Sequence, residues 1–318
     1  MMPRLDGYQA LSALKKNQLT MDIPVIMLTA KTDSMAAEIE KTFSAGADDY
    51  IRKPFQLAEV RARVRNLAAR HLLMKERVSD LRNAAMVQKK FLTNSGETEN
   101  VLKNAGLKAV FFNQPSNGIS GDFWFPKKMP NGKAGLFVAD TCGHGVLAAI
   151  ISMRILSVID HCSAPNLHPS EFLAAVNSDI YDLLSPEAKF VAGMYFIFDQ
   201  QKLIFSNAGQ PMPFLLREGK LIELKTSAPP LGVFSELTTN EIEHEFRKGD
   251  RLIIYTDGLF EGEAVNSETV PLNRVIACLE KNCSVPLADM TRFLISDMQA
   301  CIKRDFDDDV TIIIIEMQ

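Results

Sequence analysis

Seven strand-sized apolar runs occupy the last two thirds of the chain, and aspartates stand repeatedly at their ends. The runs are LKAVFFNQ, KAGLFVAD, FVAGMYFIFD, KLIFSNAG, PFLLREGKLIEL, DRLIIYTDG and DVTIIIIE. Four acidic sites sit at a strand end or in the tight turn beside one: Asp122 in ISGDFW, Asp140 in LFVADTCGHG, Asp257 in LIIYTDG, and Asp307-Asp308-Asp309 ahead of VTIIII. Taken singly, Gly-Asp and Asp-Gly are ordinary turn dipeptides. The joint pattern is more specific. A carboxylate at a strand edge costs desolvation unless it is paired or bound to a cation. Oxygen-only donors with no His or Cys pairing point to two hard divalent cations, Mn2+ or Mg2+. Two such ions about 3.5–4 Å apart share a water, lower its pKa and offset charge on a phosphoryl group, so the pattern predicts attack by a metal-bridged hydroxide.

Between the runs lie helical patterns at 146–161, 169–184, 271–281 and 286–303, the last three opening near a proline, which suits a helix start. Arg217-Glu218-Gly219-Lys220 carries hairpin chemistry. Hairpins alternating with helix pairs predict an α+β layered sandwich.

The first segment, residues 1–65, reads helix, strand, helix, strand, helix. Its apolar strand IPVIMLTA (23–30) predicts a parallel sheet covered on both faces. A helix over 34–45 stops at Gly46, and residues 48–52 form a short strand before Lys53-Pro54-Phe55. The helix that opens near Leu57 continues. Leu57, Val60, Val64, Leu67, His71, Met74, Val78, Leu81, Ala85, Gln88 and Leu92 follow a 3-4 spacing, and nine of these eleven are apolar. That stripe predicts a coiled coil that pairs two copies of the chain. Polar residues 93–100, with Gly96, read as the end of this connector. The expected domains are 1–65, a helical linker at 66–98, and 99–318.

The motifs SGDFW, VADTCGHGVLAAI, SNAGQPMPFLL, PPLGVF, GDRLIIYTDGLFE and DDDVTIIII, in that order, resemble the metal-dependent protein phosphatase (PPM, type 2C-like) superfamily in its SpoIIE/RsbU branch. The resemblance implies a PPM-type α-β-β-α sandwich with metal ligands at Asp122, Asp140, Asp257 and Asp308. Asp140 would bridge two metals, the backbone carbonyl of Thr141 would add a ligand, and Asp309 would be supportive while Asp307 is solvated. Phe125 replaces a frequent acidic residue, Gln210 replaces the usual histidine, and no arginine is evident to grip the phosphate. His144 invites a general-acid role but reads better as a loop residue shaping a helix start.

MPRLDGYQ, PVIMLTA and GADDYIRKPF resemble the second half of a response-regulator receiver, a flavodoxin-like α/β fold. The resemblance maps its switch threonine to Thr29 and its lysine to Lys53. The phosphoacceptor aspartate expected ahead of Met2-Pro3 is not in the sequence. The segment is therefore expected to be an incomplete receiver that buries its core poorly and carries its signal through the helical linker.

These readings predict a protein serine/threonine phosphatase whose substrate, by the resemblance, is an anti-anti-sigma (STAS) protein. The alternative is a catalytically silent pseudophosphatase that binds its partner. A net charge of −4 and the lack of a helix-turn-helix pattern argue against nucleic acid. No apolar run approaches the roughly 20 residues needed to span a bilayer. Five scattered cysteines without a secretory start are expected of reduced thiols in the cytoplasm.

Overall fold

The structure, a computed structural model, describes residues 6–17, 19–29, 35–92, 95–116, 118–143, 146–161, 167–260, 272–302 and 306–318. The chain divides into two compact units, residues 1–80 and 81–318.

The first unit runs α1 (Gly7–Lys16), β1 (Ile26–Thr29), α2 (Met35–Ser44), β2 (Asp49–Arg52) and then α3 (Leu57–Leu92), the element order the sequence predicts. Asp6 caps α1 through a reciprocal box with Gln9. β1 and β2 pair in parallel, Ile26 opposite Asp49 through Thr29 opposite Arg52. Strand β1 is shorter than the 23–30 expectation, whose last residue falls outside the described residues. Its Leu28 is 49% exposed; among the described residues β2 is its sole neighbour in this sheet. Among the described residues of this unit the only buried apolar side chains are Leu11, Ala47 and Ile51, in line with the poor core expected. The helix α3 is continuous over 36 residues, with Leu57, Val64 and Met74 of its stripe exposed. The stripe side chains at 78, 81, 85, 88 and 92 lie outside the described residues.

In the second unit the polar end of the connector is itself helical from Ser95, in α4 (Ser95–Asn104), which packs on β3 (Leu107–Gln114). Gly96 sits in its first turn, where a glycine costs little, and Thr98 and Leu102 point into the core. Next come β4 (Phe123–Lys128), β5 (Ala134–Thr141), α5 (Val146–His161), α6 (Pro169–Leu184), β6 (Val191–Asp199), β7 (Lys202–Ala208), β8 (Phe214–Arg217), β9 (Lys220–Glu223), β10 (Ile242–Glu245), β11 (Arg251–Tyr255), α7 (Leu272–Lys281), α8 (Leu287–Gln299) and β12 (Val310–Met317). Helix α8 ends at Gln299, earlier than the 303 expected; residues 303–305, like Pro271 ahead of α7, lie outside the described residues.

Two antiparallel five-stranded sheets result, ordered β10-β7-β6-β5-β4 and β3-β12-β11-β8-β9. The period of two sorts their side chains. Ile313 and Ile315 join Val138, Phe196 and Leu252 in the core between the sheets. Ile312 and Ile314 face the other way, against Val275 and Leu279 of α7 and Leu294 of α8. Helices α5 and α6 cover the outer face of the other sheet through Ile155, Phe172 and Val176 against Phe137 and Tyr195. The layers are therefore helix, sheet, sheet, helix, the α+β sandwich expected. The hairpin β8–β9 turns on Glu218 and Gly219, both at positive φ, as a tight two-residue turn requires. Among the described residues no helix is long and apolar enough to cross a membrane.

Candidate active site

Strand pairing alone gathers the aspartates. β4 and β5 run antiparallel with Phe123 opposite Ala139, so Asp122, just before β4, lies beside Asp140 near the end of β5. β11 and β12 run antiparallel with Tyr255 opposite Ile312, so Asp257, just past β11, lies beside the Asp308-Asp309 turn that enters β12. One acidic pair thus comes from each sheet, and cross-sheet hydrogen bonds join them.

Thr256 Oγ1 donates to Asp122 Oδ2 at 2.8 Å. It also accepts from Thr311 N at 2.9 Å, and Asn113 Nδ2 donates to Thr311 Oγ1. Asp309 spends both carboxylate oxygens on backbone N–H groups. Its Oδ2 takes Gly121 N and its Oδ1 takes Ser116 N at 2.7 Å, tying the loop ahead of β4 to the turn ahead of β12. That is the supportive place expected of Asp309, while Asp307 is exposed. Asp308 Oδ1 accepts from Asp309 N at 2.7 Å. Glycine is required where the backbones cross. A Cβ on Gly258 would run into the Asp309 carbonyl, and one on Gly121 would stand 2.9 Å from the Thr141 carbonyl oxygen. Thr141 is fully buried, its hydroxyl 2.9 Å from Ser152 Oγ of α5.

The electrostatics are unfavourable without a cation. Burial, and then the neighbouring Asp140 charge, hold the Asp122 carboxyl well above the usual carboxylate range. Burial, then repulsion from Asp257 and Asp308, pushes Asp140 up to about 7. Burial and Asp308 raise Asp257 in the same sense. Asp122 Oδ1 is buried with no hydrogen-bond partner. A buried, orphaned carboxylate oxygen facing further carboxylates fits a cation-binding cradle with hard oxygen donors. Among the described residues no three His, Cys, Asp or Glu side chains already form a metal-holding group. The carboxylates instead interact as a chain, Asp122 with Asp140 and Asp140 with Asp257 and Asp308.

Phe125 packs against the helix-side core of its sheet. Gln210 is buried, its Nε2 donating to the Ala192 carbonyl and its N–H to Asn207 Oδ1, so it serves the β6–β7 region rather than the carboxylates. His144 lies outside the described residues. Sequence reasoning missed Thr256 and Thr311, although each stands one or two residues from a singled-out aspartate. In the first unit, Lys53 N donates to the Thr29 carbonyl at 2.8 Å, placing Thr29 and Lys53 together at the C-terminal ends of β1 and β2.

Residues 130–318 match the family profile of stage II sporulation protein E (SpoIIE), and residues 1–65 match that of the response regulator receiver domain. Phosphoserine phosphatase RsbP of Bacillus subtilis (strain 168) is 22% identical over 227 residues, covering 69% of this chain and 53% of that protein. Phosphoserine phosphatase RsbU of the same organism is 22% identical over 250 residues, covering 76% and 71%. The chain spans about half the length of RsbP and 34% of the stage II sporulation protein E of Priestia megaterium. Among solved structures, the SiaA-PP2C domain of Pseudomonas aeruginosa aligns with a TM-score of 0.69 at 20% identity, covering 77% of this chain and 99% of that one. The motif-based resemblance and the sandwich fold are both borne out.

Proposed function

This chain belongs to the SpoIIE family, and from that premise we propose that it is a metal-dependent protein phosphatase acting on phosphoserine or phosphothreonine of a partner protein. The observation that carries the reading is the orphaned Oδ1 of Asp122 inside a buried carboxylate chain. Asp122, Asp140, Asp257 and Asp308, with the Thr141 carbonyl, would hold two divalent cations, Mn2+ or Mg2+. When bound, these would supply Lewis-acid activation of water and charge compensation for the phosphoryl group. The chain's own residues do the rest. Thr256 and Thr311 orient Asp122, Asp309 locks the two loops together, and burial of Thr141 and Asp122 keeps bulk water from the ligand side.

The phosphatase domain is assigned to 99–318, the receiver segment to 1–65 and the helical linker to 66–98. The names of RsbP and RsbU as phosphoserine phosphatases support a phosphoserine substrate, and the motif resemblance proposes an anti-anti-sigma (STAS) protein of a cytoplasmic partner-switching circuit as the partner. The exposed Leu57, Val64 and Met74 of α3 support a homodimer through this helix, which would relay the receiver's state, read near Thr29 and Lys53, to the phosphatase. The alternative reading is a sequestering pseudophosphatase. Hydrolysis of a phosphoserine peptide with and without Mn2+ separates the two. Turnover that needs Mn2+ and is lost in Asp140→Asn and Asp257→Asn supports the enzyme. Metal binding without turnover points to a switched-off enzyme, and no metal binding at all supports the sequestering module.

A further inference from the structure

Among the described residues, Lys189 approaches the loop that follows Asp140, and it is reached from the segment ahead of β6 rather than from any aspartate motif. Lys189 lies in the segment leading into β6, where Lys189 N donates to the Leu184 carbonyl at 3.1 Å. Beside it, the Phe190 carbonyl accepts from Cys142 N at 3.0 Å, and Phe190 N lies 3.4 Å from Cys142 Sγ. This ladder continues the β5–β6 pairing, Thr141 opposite Val191, beyond the end of the strands. It fixes Lys189 against the turn that follows Asp140. A Cβ placed on Gly143 would stand 3.5 Å from Lys189 Nζ. The Gly143 carbonyl in turn faces Gly121, the residue before Asp122, at 3.3 Å from where its Cβ would be. The ammonium therefore stands by Gly143, three residues past Asp140, whose carbonyl lies beside Gly121. Its side chain is partly exposed, and among the described residues it forms no ion pair with a carboxylate.

Resting on the phosphatase reading, we propose that Lys189 is a phosphate-binding residue, its ammonium receiving a non-bridging oxygen of the phosphomonoester at the mouth of the carboxylate site. A lysine acts here as a compact point charge with three donors, suited to a dianion that arrives in varied orientations.

The test uses the full chain, Mn2+, a phosphoserine peptide as substrate, and inorganic phosphate as competitive inhibitor. Lys189→Met keeps the aliphatic stem and removes the charge. It is expected to raise KM and the phosphate inhibition constant roughly ten-fold or more, the usual loss for a hydrogen bond to a charged group. The thermal shift caused by Mn2+ should stay at the wild-type value, and Lys189→Arg should recover most of the phosphate inhibition. Wild-type phosphate inhibition and kcat/KM in Lys189→Met would overturn the proposal. If Lys189→Met does not fold, Lys189→Gln decides on the same two constants. A wild type with no turnover would sink the phosphatase reading itself, whereas an active wild type matched by Lys189→Met would sink only the role of Lys189.

Discussion

Thr256, just past β11, donates its hydroxyl to Oδ2 of Asp122 in the opposite sheet at 2.8 Å. The same oxygen accepts the N–H of Thr311, so one side chain positions a carboxylate of one sheet from the backbone of the other. Both residues are buried, and the other oxygen of Asp122 has no partner. Thr256→Val keeps the shape and removes both bonds, leaving Asp122 without any donor from Thr256. The variant is expected to lose about 2–3 kcal/mol of stability in urea unfolding of the metal-free protein, while Thr256→Ser stays close to wild type.

Charge removal at Asp140 should act in the opposite direction. Burial, then Asp257 and Asp308, disfavour its ionised form. Asp140→Asn is therefore expected to melt above wild type in EDTA at pH 8, and below it in Mn2+, because the wild type alone gains full cation binding. Thermal unfolding in the two buffers checks both halves. A variant that melts lower than wild type in EDTA would contradict the account.

Gly258 permits the contact between the turn after β11 and the backbone before β12. A methyl group there meets the Asp309 carbonyl, which is backbone and cannot rotate away. Gly258→Ala should cost about 2 kcal/mol or more and weaken Mn2+ binding, because Asp308 and Asp309 must shift together. A calorimetric melt and a metal titration on the same preparation measure the two effects.

Glu241 gives a pH-dependent prediction away from the cluster. Partial burial pushes its carboxyl upward, but the hydroxyl and N–H of Ser170, with His168, more than offset this and leave it below the usual value of 4.5. These contacts hold the first turn of α6. A lowered carboxyl pKa stabilises above the unfolded value, and the gain is lost as pH falls through the folded value. Glu241→Gln should therefore cost about 1 kcal/mol at pH 7 and progressively less as pH falls through the folded value, read from urea midpoints across that range.

The sequence made the central strands and the aspartates legible because both signals are local. Four consecutive isoleucines bounded by DDD and Glu316 admit little but a strand buried on both faces, and Ile312 to Ile315 are all buried. The strands it missed, β4 and β10, are the two edges of their sheet. Edge strands are short or broken in pattern: β4 carries Pro126, which has no N–H to give, and β10 is the four-residue, half-polar Ile242–Glu245. The continuation of α4 to Asn104 was not legible behind Gly96 and a polar run, and it packs through Leu102. Asp122, Asp140, Asp257 and Asp308 could be singled out one motif at a time. The Thr256–Asp122 bond spans 134 positions and the Lys189–Gly143 approach depends on strand register, so neither leaves a local trace.

The central claim is that the buried carboxylates form a two-cation centre, and calorimetric titration of the metal-free chain with Mn2+ tests it most directly. The account predicts binding of two ions per chain to the wild type, with the stronger site lost or much weakened in Asp140→Asn. No binding to the wild type, or the same isotherm for the variant, would contradict it.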